Sequence, residues 1–221
     1  MNEINWAAVN RADTSDRRES PRGRRLSDVL RALSVVADIG FQRASRGLSE
    51  MTGIPMEAKA AQVRRLPVAS VPDLVGGAEA IVCASYLKIS GQIEGHMLLI
   101  LPLGDACKLA SMLLGEPVPP NPELPEMARS ALGEAGNITG SFFLAAMADA
   151  AGLELCPSPP AVVVDMGSAI LDTVLADLSQ ESEDVFVIDT VFAQSERSVN
   201  AVFLVLPRPS YLYFILERLP K

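Results

Sequence analysis

Two stretches decide the architecture: LSVVADIG at 33–40 and LGEAGNIT at 132–139. They stand ninety-nine residues apart, and at the same offset Gly53 meets Gly152. Further on, LLILP ending at Pro102 meets FLVLP ending at Pro207, so the offset has grown by only six. A near-constant offset between segments in the same order predicts a duplicated helix-plus-sheet unit.

Outward from the first stretch, Val29, Leu30, Leu33, Val36 and Ala37 recur at three- and four-residue spacing behind a Ser27 N-cap. This predicts a helix from 27 to about 52, with a break near Gly40 or Gly47. Segments 68–75, 80–89 and 92–101 are apolar and β-branched and read as strands, the last two as a hairpin turning at Ser90-Gly91. A helix follows over 103–114, ended by Gly115, and then a Pro-rich linker at 116–125. The second copy repeats the order: a helix over 125–151, a Pro-rich break at 156–160, an apolar stretch at 161–164, a helix near 167–178, strands at 185–192 and 201–206, and a short helix near 211–219.

The expected organisation is a disordered N-terminal arm over 1–25 and one domain over 26–219. Within that domain the first half spans 26–115 and the second 126–219, joined by the linker. The fold class is α+β (α/β). Two tandem pseudo-symmetric halves share a continuous, mainly antiparallel sheet, with the long helices on one face.

Composition narrows the function. The 221 residues are 49% hydrophobic with a formal net charge of −8, and the arm holds six Arg against four acids, which leaves an acidic body. That charge argues against nucleic-acid binding. No apolar run is long enough to span a bilayer, so the chain reads as soluble and cytoplasmic, without membrane insertion. Cys83, Cys107 and Cys156 lack paired spacing and read as reduced thiols; His96, the single histidine, has no partners for a metal cage. No cofactor or metal of the chain's own is expected.

One polar constellation stands out. Ser130, Glu134 and Asn137 fall at i, i+4 and i+7, on one stripe of the second copy's long helix, while Leu132, Ile138, Phe142, Phe143, Ala146 and Met147 lie elsewhere on the wheel. By periodicity alone this is a solvated helix face.

The run SALGEAGN followed by Pro160 resembles the signature of the CheC, CheX and FliY phosphatases: Asp or Ser, three residues, Glu, two residues, Asn, then twenty-two residues and Pro. The resemblance covers roughly 27–219 and is strongest to CheC. It implies a protein aspartyl-phosphate phosphatase of chemotaxis, a hydrolase acting on a phosphorylated CheY-like response regulator in two-component signalling. Glu134 and Asn137 would be catalytic: Asn137 would orient the attacking water, and Glu134 would pair with the regulator's active-site lysine. Ser130 and Pro160 would support them. The regulator itself would supply Mg²⁺.

In the first copy the corresponding positions are Arg31, Val35, Asp38 and Ala61, which depart from the signature. Val35 cannot pair with a lysine, and Asp38 offers only acceptors, so this half is structural, a docking surface or at most a weak second site. The competing reading is a CheC-like adaptor that holds the phosphorylated regulator, or the deamidase CheD, with little turnover. The helix at 167–178 would then be the CheD contact. A duplicated chain has less need to dimerise, so a monomer is expected.

Overall fold

The computed structural model describes residues 21–177 and 184–207. Chain order runs α1 (Pro21–Thr52), β1 (Glu57–Pro67), a 3-10 turn (Val68–Ser70), the one-turn α2 (Val71–Leu74), β2 (Ile81–Gly91), β3 (Gly95–Pro102) and α3 (Leu103–Leu114). It continues with α4 (Glu126–Ala151), β4 (Leu155–Pro157), β5 (Ala161–Met166), α5 (Gly167–Asp177), β6 (Asp184–Gln194) and β7 (Arg197–Pro207).

The strands join in one seven-stranded sheet in the order β1-β6-β7-β3-β2-β4, with β5 also paired to β2. Every pairing is antiparallel. The centre is β3 against β7, where Leu99 stands opposite Phe203. Outward from it, each half's leading strand joins the other half's hairpin: β1 pairs with β6, and β5 pairs with β2. The continuous antiparallel sheet expected from the sequence is therefore present.

Strand alternation sends alternate side chains to opposite faces. Cys83, Leu87 and Ile89 of β2 meet Met97, Leu99, Ile188 and Phe203 in a core beneath α1, α3 and α4. Phe203 is the hub, with Phe41 of α1 and Phe143 of α4 edge-on to it at ring-centroid distances of 5.7 and 5.3 Å. The long helices thus share one face, as expected. On the other face, Val82, Ala84, Leu98 and Val187 pack with Ile170, Leu171 and Val174 of α5 and with Val71 and Leu74 of α2.

Several local expectations are corrected. Helix α1 spans Pro21–Thr52, so it extends further toward the N-terminus than the helix expected from Ser27. Proline is at home in a helix's first turn, where its missing N–H has no helical partner to lose. Residues 1–20, and the helix expected at 211–219, lie outside the described residues. Nor is α1 broken at Gly40 or Gly47. A Cβ at Gly40 would lie 2.7 Å from the Phe143 Cα, and one at Gly47 would lie 3.0 Å from the Phe142 ring. Both glycines are places where α4 comes close. The strand expected at 68–75 is helical, with Pro72 in the first turn of α2, and the strand lies earlier, as β1. The hairpin turn falls at 92–94, after Gly91, which ends β2 at φ 117°.

Candidate functional site

The site is built on α4. This helix follows Pro125, carries Glu126 in its first turn where the helix dipole favours an acid, and ends at Gly152. Gly152 takes a left-handed conformation, φ 64°, and its N–H bonds the Ala148 carbonyl. One face, with Ala128, Leu132, Ala135, Phe143 and Met147, is buried. Ser130 and Glu134 are exposed and Asn137 is half-buried.

The i and i+3 spacing of Glu134 and Asn137 makes them neighbours, with Cβ atoms roughly 5–6 Å apart. Neither the Ser130 hydroxyl nor the Glu134 carboxylate has a hydrogen bond or ion pair among the described residues. Ser130, one turn before Glu134, therefore makes no direct bond to it. Asn137 is held instead by a residue the sequence reading missed. The Ser141 hydroxyl donates to its Oδ1 at 3.3 Å, while the amide NH₂ makes no hydrogen bond among the described residues.

Pro160 comes to the same place from the sheet side. It lies in the gap between β4 and β5, where the strand path along β2 is interrupted. Proline suits such a gap because it has no N–H to give a ladder. A Cβ at Gly133 would be 3.1 Å from Val162 Cγ2 and 4.0 Å from Pro160 Cγ. One turn earlier, Arg129 Nη1 donates to the Val162 carbonyl at 3.3 Å. The turn carrying Ser130 and Glu134 is thus fastened to residues 160–162, and the twenty-two-residue spacing closes in space. The signal for this was a glycine directly before Glu134.

The first half has its own long helix, leading strand, short helix and hairpin, but not the signature residues. Arg31 is occupied by an ion pair with Asp28. Val35 is 50% exposed, Asp38 is exposed, and Ala61 stands at the register break of β1 between Ala60 and Gln62. That break is the counterpart of the Pro160 gap.

Other candidate groups sit apart from α4. His96 is buried, and its Nδ1 lies 2.8 Å from the Tyr86 hydroxyl on the α5 side of the sheet. These two residues border a cavity of about 380 Å³ with Val163, Asp165, Ile170 and Val174, and neither Glu134 nor Asn137 touches it. Cys83 and Cys107 are buried, and Cys156 is exposed. Burial pushes the Cys83 thiol up from its ordinary 9.0 to about 12, against the opposing pull of the Arg129 cation. Among the described residues no three His, Cys, Asp or Glu side chains are grouped to hold a metal, and no helix is long and apolar enough to cross a membrane.

Residues 127–164 match the CheC-like family, a stretch that brackets Ser130 and Pro160. The chain is 32% identical over 184 residues to the CheY-P phosphatase CheC of Bacillus subtilis (strain 168), spanning 81% of this chain and 87% of that protein. Among solved structures it is similar to Thermotoga maritima FliY, with a TM-score of 0.68 and 19% identity over 86% of this chain and 94% of the other. It is also similar to the FliM middle domain (51–229) of Vibrio alginolyticus, with a TM-score of 0.63 and 13% identity over 85% and 99% of the two chains. At these identities the two structures speak for the fold.

Proposed function

Since the chain belongs to the CheC-like family, we propose that it is a protein aspartyl-phosphate phosphatase that hydrolyses the phosphoryl group of a phosphorylated CheY-like response regulator in chemotaxis. The observation that carries this reading is the presentation of Glu134 and Asn137. The two side chains stand together on one turn of α4, Glu134 exposed and Asn137 half-buried beside it, with that turn fastened to the sheet through Gly133, Arg129 and Val162.

Hydrolysis of an aspartyl phosphate passes through a loose transition state whose charge is spread over the phosphoryl oxygens. The main requirements are a water held in line and electrostatic support. The regulator carries the phosphoaspartate, the lysine and the Mg²⁺. This chain inserts an amide and a carboxylate. The Asn137 amide holds the water in line with the phosphorus without changing its own protonation state. The Ser141 bond limits rotation of that amide, which lowers the entropy lost when the water is fixed. The Glu134 carboxylate is free to pair with the regulator's lysine, which places the two active surfaces in register. Ser130 borders this contact and Pro160 sets the strand path beneath it. The site acts in the cytoplasm on a monomeric chain, with CheD as a second partner.

The test is phosphate release from a phosphorylated CheY-like protein of the same organism, with and without CheD, comparing the native chain with Asn137→Ala and Glu134→Ala. Asn137→Ala lowers kcat about 100-fold while the regulator still binds, because an oriented water is lost. Glu134→Ala weakens binding and turnover together. If the native chain binds the phosphorylated regulator but releases no more phosphate than either variant, the protein is an adaptor and not a phosphatase.

A further inference from the structure

Ser85 is a polar residue in a buried apolar row. It lies on β2 between Cys83 and Leu87, all three directed into the core beneath α4, and is only 2% exposed. Its hydroxyl donates to the Leu132 carbonyl at 2.9 Å. Gly136 stands directly above it: a Cβ there would lie 2.3 Å from the Ser85 Cβ and 2.8 Å from its Oγ. In a helix the Leu132 carbonyl also receives the N–H of residue 136. One carbonyl therefore joins β2, in the first half of the chain, to the turn of α4 that bears Glu134 and Asn137.

Apolar contact alone holds a helix on a sheet loosely in rotation and translation, because dispersion forces are non-directional. A buried hydrogen bond to one carbonyl removes both freedoms at that point. The lever is short. Asn137 is five residues from Leu132, about 7.5 Å along the axis, and its amide lies about 5–6 Å from that axis. A rotation of roughly 10° would move the amide by about 1 Å, and a misplacement of that size costs on the order of 100-fold in rate.

We propose that Ser85 is a positioning residue for the hydrolysis carried out on α4, and that its hydroxyl sets the rotation and height of the turn that presents Asn137 and Glu134. The inference rests on the phosphatase reading above and adds to it a residue outside the signature, from the half of the chain whose own signature is lost. A serine is needed for this role rather than an alanine of nearly the same size, because a buried hydroxyl is tolerated only when bonded. Glycine is needed at 136 because any larger residue would lift α4 off its anchor.

The experiment compares four full-length variants, Ser85→Ala, Gly136→Ala, Ser85→Gly/Gly136→Ala and Ser85→Ala/Asn137→Ala, with the native chain. The substrate is a CheY-like receiver phosphorylated from a small-molecule phosphodonor; kcat, KM and the melting temperature are each recorded. Ser85→Ala should lower kcat about tenfold, with a smaller rise in KM from the displaced Glu134. Gly136→Ala should lose both stability and activity. The Ser85→Gly/Gly136→Ala pair moves one carbon across the interface without restoring the hydroxyl, so it should regain the melting temperature lost in Gly136→Ala but not the kcat. In the Asn137→Ala background, Ser85→Ala should cost less than its tenfold in the native background, because only Glu134 is then left to misplace. Native kcat in Ser85→Ala or in the volume-exchanged pair, or an undiminished further loss in the Asn137→Ala background, overturns the positioning role and leaves the phosphatase reading standing. A native chain that releases no phosphate overturns both.

Discussion

Gly40→Ala is a direct test of how α1 and α4 meet. The added methyl would sit 2.7 Å from the Phe143 Cα, 3.0 Å from its backbone N and 3.2 Å from the Phe142 carbonyl oxygen. Carbon atoms in contact normally lie about 3.5–4.0 Å apart, so the axes must part by about 1 Å. The obstacles are backbone atoms, which cannot turn aside as a side-chain tip can. Overpacking of this kind costs about 1–3 kcal/mol, and a purely backbone clash beside the Phe41, Phe143 and Phe203 cluster belongs near 3. Against this, alanine gains about 1 kcal/mol over glycine in a helix. The net loss is about 2 kcal/mol, or a fall in melting temperature of roughly 4–8 °C for a chain of this size. Thermal unfolding followed by circular dichroism reads it, with Gly104→Ala as control. Gly104 is exposed on α3, a Cβ there meets nothing within 4 Å, and its substitution should leave the melting temperature unchanged or raise it. A Gly40→Ala protein that melts at or above the native temperature would refute the close approach of the two helices.

Three further outcomes are expected. Arg64 Nη2 and Asp189 Oδ1 form a largely buried pair at 2.7 Å between β1 and β6, and the buried Arg64 Nε has no hydrogen-bond partner, so Asp189→Ala strands a cation and should cost about 3–5 kcal/mol in urea unfolding; a loss below 1 kcal/mol would contradict the burial. Burial raises the Cys83 thiol from 9.0 to about 12, so above pH 9 the unfolded chain loses its proton before the folded one does, and the Cys83 contribution to stability declines from pH 9 toward 12. Cys83→Val should flatten that part of the alkaline stability curve, and an unchanged slope would remove the assignment. Ser141→Ala frees the Asn137 amide to rotate and should lower kcat a few-fold at constant KM, whereas a change confined to KM would place Ser141 in docking instead.

How much of this was legible depends on how local each cause is. Helices α3 and α4 end at Gly115 and Gly152, both in left-handed conformations, so single residues announce their boundaries. The sheet partners of the hairpins, β1 and β5, are less legible. Strand β1 reads EAKAAQVRRLP, rich in small and charged residues that sit poorly in an interior strand, yet it is an edge strand, where charge on the open side is protective. Gly40 and Gly47 read locally as helix breaks; their reason is a helix that arrives a hundred residues later, and no local rule contains it. At the site, the spacing of Ser130, Glu134 and Asn137 predicts one stripe, and the structure places them on one. Ser130 and Glu134 share no bond, however, and Asn137 leans on Ser141, which lies outside the signature. Ser85 and Val162 were invisible because each touches α4 only after the sheet has formed.

The exchange of leading strands between the halves has a consequence for the newborn chain. Arg64 and Asp189 are 125 residues apart, so β1 leaves the ribosome long before its partner strand β6 exists. At about 5–20 residues per second the wait is roughly 6–25 s. Neither half can close in isolation: the first lacks β6 for its leading strand, and the second lacks β2 to lay beneath α4. Closure of the sheet at β1 therefore comes late, and the waiting edge of β1, which carries Lys59, Arg64 and Arg65, repels its own copies on neighbouring nascent chains in the meantime.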